Sequence, residues 1–263
     1  MNIYAFLAAI NAVVSLLIGF FVYSQDRSKT TNQTFGLFAL SVAAWSVGYF
    51  LWQISDTPED ALLWSRVLMI GTILIPIFNF HFVLSFLNKV YEQRFLLGFG
   101  YLAFLLFLLF SFSPSFITGV EEKFEFLFWP IPGPLFHPFL ALWFLYVIFA
   151  AAILIKERVK AVIPQKSQIE YILFATVIGY GGGATNFLLW YDIPISPIGV
   201  WAPALYVGIV AYAMVTKQLF GIRLLLAQLL VGFISLLLFI NFVLSETPFE
   251  YLWKGTLLGA FLS

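Results

Sequence analysis

From Ile3 to Tyr23 the chain carries no charged residue, and the pattern then recurs. Further apolar runs follow at about 34–54, 61–87, 95–113, 136–155, 169–190, 200–216, 224–244 and 251–263. Runs of some 20 apolar residues match the hydrocarbon thickness of a bilayer, where only helices satisfy their own backbone. The expected fold is therefore an all-α polytopic membrane helix bundle, with a 7TM core, an eighth span and the start of a ninth. Charged residues make up 10% of the chain and fall mainly in the connections, and the mean hydropathy is +0.98. The last run, about 13 residues, is too short to cross at 1.5 Å per residue. It reads as a span cut before a cytoplasmic output domain.

The connections carry an orientation signal. One set holds Arg27, Lys29, Lys89, Arg94, Lys156, Arg158, Lys160, Lys166, Lys217 and Arg223. The other holds Lys123 as its single basic residue, among Asp56, Glu59, Asp60, Glu121, Glu122, Glu125, Asp192, Glu246 and Glu250. Basic loops stay in the cytoplasm, so the N-terminus is expected outside the cell (inner or plasma) membrane. Net charge is zero, which gives no field for nucleic acid. The chain has no cysteine, so thiol catalysis and thiolate metal sites are excluded.

Residues at membrane depth narrow the candidates. Gly179-Tyr180-Gly181-Gly182-Gly183-Ala184-Thr185-Asn186-Phe187 interrupts the sixth run. Glycine is about 1 kcal/mol worse than alanine in a helix interior, so such a run implies a close contact or a lined cavity. Ala175, Gly179 and Gly183 follow a small-residue spacing for helix packing, and Asn186 continues that face. Asn186 reads either as a ligand contact or as a polar end to the packing seam. In the third run Pro76 permits a kink. Arg66 and His81 lie on roughly one face of that run. Arg66 is a functional candidate, or else snorkels to headgroups or pairs with Glu59 or Asp60. His81 reads as a hydrogen-bonded bundle histidine or a proton relay. Residues 113–135, with Trp129-Pro130-Ile131-Pro132-Gly133-Pro134, form the one long outside loop, either a cap on the bundle mouth or a stiff interfacial turn. The tryptophans fall mostly near outer span boundaries, as an aromatic belt would.

Catalytic patterns are missing from the sequence. Neither His81 nor His137 sits in a metal-ligand spacing, and no metal or other cofactor is expected. No nucleophile elbow or phosphate-cradling loop occurs, because no lysine follows Gly181-Gly182-Gly183.

Several short motifs stand in a defined order. They are Asn32-Gln33-Thr34-Phe35 with Ala44-Trp45-Ser46-Val47-Gly48-Tyr49-Phe50; Trp64-Ser65-Arg66 with Ile75-Pro76 and His81-Phe82; Phe128-Trp129-Pro130; Gly182-Gly183-Ala184-Thr185-Asn186-Phe187; Pro197-Ile198-Gly199; and Leu219-Phe220-Gly221-Ile222-Arg223. This succession resembles the N-terminal seven-transmembrane region of bacterial sensor histidine kinases over about residues 3–223. The resemblance implies a sensory input domain at 1–223, belonging to a two-component signal-transduction receptor that pairs as a homodimer through its cytoplasmic part. It departs from that pattern after Arg223, where 224–263 adds transmembrane sequence. The chain lacks a phospho-acceptor histidine and an ATP-binding motif, so this piece is expected to be non-catalytic. The expected site is a pocket between spans three, six and seven, under the Trp-Pro loop, with Arg66, Trp129 and Asn186 binding a small apolar or lipid ligand from the bilayer. A small polytopic transporter or channel is the alternative reading.

Overall fold

The computed structural model describes residues 2–216, together with Ser235, Phe242 and the helical stretch 254–259. The chain divides into two compact units, 1–217 and 218–263. The eighth and ninth runs lie almost wholly outside the described residues.

Seven helices build the first unit: α1 (Ile3–Gln25), α2 (Thr30–Gln53), α3 (Pro58–Phe86), α4 (Arg94–Phe110), α5 (Phe136–Arg158), α6 (Gln165–Ala184) and α7 (Ala202–Val215). Five are long and apolar enough to cross a membrane, counting α6 with the turns that extend it to Tyr191. The helices α4 and α7 are shorter, at 17 and 14 residues. Their starts are specified locally. Asn2 accepts the Ala5 N–H at the head of α1. Thr57 caps α3 by accepting the Asp60 N–H, with Pro58 next and Glu59 and Asp60 against the positive helix end.

Small residues set the helix spacing. The buried seam of α1 contains Ala5, Ala8, Ala12, Ser15 and Gly19, while Leu17 and Phe20 on its other side are two-thirds exposed, as a lipid-facing surface requires. A Cβ placed on Gly19 would lie 2.6 Å from the Ala39 Cβ of α2. The α2–α3 crossing is closer still. At Gly48 a Cβ would meet the Leu68 backbone at 2.6 Å, and at Gly71 it would meet the Trp45 nitrogen at 2.3 Å and the Ser41 carbonyl oxygen at 2.5 Å. The two helices touch backbone to backbone, which suits a bilayer where association depends on packing rather than hydrophobic gain.

The long connection is neither a plain turn nor a coil. It forms an antiparallel hairpin, β1 (Ile117–Lys123) and β2 (Phe126–Pro132), paired from Ile117↔Pro132 to Lys123↔Phe126 with two irregularities. Pro130 and Pro132 have no N–H to donate, and a two-stranded ribbon tolerates them because each strand is an edge. The hairpin covers the bundle end that holds the start of α1 and the end of α2. Trp52 Nε1 donates to the Phe128 carbonyl oxygen at 2.6 Å, and the Tyr4 hydroxyl donates to Glu125 at 2.9 Å. Ser196, in the α6–α7 connection, donates to the same Glu125 carboxylate at 3.0 Å.

A second tie holds the hairpin to the end of α6. Lys123, its side chain 10% exposed, pairs with Asp192 at 2.7 Å and Glu121 at 3.1 Å. Burial alone would lower the Lys123 pKa, but the hydrogen bonds with Asp192 and Glu121 lift it above its ordinary value. For Glu125, burial raises the pKa; its own backbone N–H and the Tyr4 and Ser196 hydroxyls outweigh that and hold it below 4.5. A depressed carboxylate pKa stabilises the fold above the unfolded value, and that stability disappears as pH falls through the folded one. Protection factors of the amides across 117–132, which remove the intrinsic pH dependence of exchange, should therefore be constant near neutral pH and fall as pH drops below about 4.5. In Glu125→Gln the protection should be lower already at pH 7, and its acid-dependent fall should be lost.

Candidate ligand cavity

A cavity of about 60 Å³ lies inside the bundle beneath the hairpin. Its walls are Trp45 and Tyr49 from α2, Leu68 and Thr72 from α3, and Trp143 from α5. Gly179, Tyr180 and Gly183 of α6 and Pro203 and Tyr206 of α7 complete the ring. Trp129 of β2 adds to the lining and is fully buried. No acidic, basic or histidine side chain lines this space.

The end of α6 explains the glycine run. After Ala184 the chain tightens into two 3₁₀ turns, Thr185–Phe187 and Leu189–Tyr191, and Asp192 then adopts a left-handed backbone. None of the described glycines has a positive φ, so backbone conformation does not account for the run; Gly179 and Gly182 serve proximity, while a Cβ on Gly181 would meet nothing within 4 Å. Gly182 faces α7, where a Cβ would stand 2.4 Å from the Ala202 Cβ. Gly199 packs onto Gly182 so closely that a Cβ would fall 2.0 Å from its carbonyl oxygen. Gly179 abuts Tyr206 at 2.6 Å on the same measure. At Gly183 the nearest atom is Pro203 Cγ, 4.0 Å away, so this residue opens onto the cavity more than it seals a crossing. Ala175 is fully buried, one turn below Gly179.

Polar groups without partners concentrate here. Among the described residues eight buried side-chain polar atoms lack a hydrogen-bond partner. Four of them belong to cavity-lining side chains: the Tyr49 and Tyr180 hydroxyls, Trp129 Nε1 and Asn186 Oδ1. The Asn186 amide is oriented by its Nδ2, which donates to the Gly183 carbonyl oxygen at 3.0 Å and leaves the oxygen free. Leaving a buried donor or acceptor unpaired costs about 1–3 kcal/mol, so such atoms require an explanation.

Other lining side chains are tied to α3. Pro76 has no N–H, which frees the carbonyl of Thr72 four residues earlier. Trp143 Nε1 donates to that carbonyl oxygen at 3.2 Å. The helix stays continuous from Pro58 to Phe86. On the far side of Pro76 the Tyr206 hydroxyl donates to Asn79 Oδ1. Two aromatic side chains of the cavity wall, from α5 and α7, thus grip α3 on either side of its one missing backbone bond.

The residues singled out from the sequence are distributed as follows. Trp129 and Asn186 line one cavity. Arg66 lies outside it and donates to the Ile117 carbonyl oxygen at the start of β1, at 3.0 Å, while its Nε is buried without a partner. It forms no ion pair with Glu59 or Asp60; Asp60 bonds Thr57 instead. His81 shares a hydrogen bond with the Tyr101 hydroxyl of α4 at 2.7 Å. The aromatic-belt expectation needs correction, since Trp45, Trp52, Trp129, Trp143 and Trp190 all line the interior space. Tyr49 and Tyr180 carry free hydroxyls that the sequence reading did not single out, although both stand inside motifs it quoted. The expected pocket walls, spans three, six and seven, omit the contributions of α2 and α5.

A bundle of apolar helices, capped at one end and hollow beneath the cap, is the architecture of a multi-pass membrane protein. The chain belongs to the family described as the N-terminal 7TM region of histidine kinase, whose pattern matches residues 7–223. That family defines a sensory input region of histidine kinases. No curated protein matches the chain.

Proposed function

We propose that this region is the non-catalytic stimulus-binding module of a two-component receptor, and that occupancy of the cavity is what it senses. The observation that carries the reading is the gathering of four unpartnered polar atoms on side chains that line one uncharged cavity. A guest shifts a bundle between two packings only if it contacts them differently. Trp143 and Tyr206 provide that difference, since each lines the cavity and also holds α3 beside Pro76. A guest that moves either ring changes the support of α3 at its weakest point. The α3 helix then carries the change toward the end opposite the hairpin.

By the distribution of basic residues the hairpin end faces outside, with the N-terminus, and the opposite end faces the cytoplasm. Residues 1–223 act as the input unit, and 224–263 extends the transmembrane part toward an output domain. Two copies pair through that output part.

The test is phosphoryl transfer by the complete receptor containing this region, reconstituted in vesicles. Asn186→Ala and Tyr206→Phe should each change the basal output about fivefold or more while leaving membrane insertion intact. Unchanged output in both variants would refute the reading. Saturable flux of a small neutral solute across the same vesicles would instead support the transporter alternative.

A further inference from the structure

We infer that the cavity takes a small, flat, uncharged molecule of the carboxamide type, one that both accepts and donates hydrogen bonds. This rests on the cavity being the site of stimulus binding, and it specifies the ligand. Charge is excluded first: the lining offers no ionic partner, and an unpaired ion in such a space loses its hydration without compensation. Size comes next. A volume of about 60 Å³ holds roughly two to four waters, each needing at least about 10–15 Å³ and taking about 30 Å³ in the liquid, so the guest that replaces them has at most roughly five non-hydrogen atoms.

Chemistry completes the description. Trp129 Nε1 is a donor and nothing else, so it requires an acceptor. Asn186 Oδ1 is an acceptor and nothing else, so it requires a donor. The Tyr49 and Tyr180 hydroxyls accommodate either role. A ketone satisfies the indole and leaves the Asn186 oxygen bare, whereas a hydrocarbon satisfies neither. A primary amide or lactam presents a carbonyl oxygen and an N–H on one planar group, and a planar group slides between aromatic walls. The rings of Trp143 and Tyr180, 5.3 Å apart between centroids, form part of such a wall.

Three molecules of one shape separate the contributions: propionamide, butanone and propionate. Binding is measured by saturation-transfer NMR on the full chain in lipid nanodiscs, with no enzymatic output involved. Propionamide should bind saturably, butanone about tenfold more weakly or worse, and propionate not at all. Trp129→Phe keeps an aromatic ring but removes the donor that both carbonyls use, so it should weaken propionamide and butanone alike about tenfold, whereas Asn186→Leu removes the acceptor for the amide N–H and should weaken propionamide about tenfold while leaving butanone almost unchanged. Equal binding of amide and ketone, preference for propionate, or no saturable binding of any of the three overturns the proposal. Binding of propionamide as stated, with receptor output unmoved, upholds the ligand class and refutes the sensory reading.

Discussion

Gly71→Val is expected to abolish folding of the bundle. A Cβ at this position would already stand 2.3 Å from the Trp45 nitrogen and 2.5 Å from the Ser41 carbonyl oxygen. Both atoms are helical backbone, so neither can rotate away. Overfilling a packed interior generally costs about 1–3 kcal/mol, and a clash with rigid backbone exceeds that range. Folded domains have about 5–15 kcal/mol of stability in all. Parting α2 from α3 would also open the cavity wall that Trp45 and Leu68 form together. The check is the yield of monodisperse protein from membranes, with its thermal midpoint. Gly98→Ala in α4, where a Cβ meets nothing within 4 Å, should fold at least as well as the parent and serves as the control.

Gly183→Leu should fold normally and fix the receptor in a single signalling state, losing its stimulus response altogether. The position opens onto the cavity with its nearest neighbour 4.0 Å away, so a leucine side chain enters the space a guest would use. Leucine is also the better helix former, by about 0.8–1 kcal/mol. The adjacent residue gives the opposite result. At Gly182 even alanine would press its Cβ to 2.4 Å from the Ala202 Cβ, so Gly182→Ala should separate α6 from α7 and lower the thermal midpoint. Measuring output and melting on both variants tells a blocked cavity from a damaged seam. A fully responsive Gly183→Leu receptor would remove the cavity from the mechanism.

The helical layout was readable because lipid enforces it: every run long enough to span had to satisfy its own backbone. The helix α6 was readable for a related reason, since a glycine run inside an apolar helix lacks a lipid-facing purpose. Trp129 and Asn186 could be named because each is unusual for its surroundings. The role of Arg66 was harder to read, because an arginine near a span end has several partners within reach and the one it meets, the Ile117 carbonyl, carries no side-chain signature. Gly48 and Gly71 look like ordinary small residues in sequence; their importance comes from atoms in the opposite helix. The hairpin was obscured by its prolines, which rule out helix but say little about strand. Thr72 offered no signal of its own, since its bare carbonyl follows from a proline four residues on and its partner from α5.

Five of the eight tryptophans of this protein, Trp45, Trp52, Trp129, Trp143 and Trp190, line the cavity beneath the hairpin. Indole emission depends on the polarity around the ring. The protein therefore carries its own optical reporter, in which the colour and intensity of native fluorescence follow the wetting and filling of the cavity without an added label.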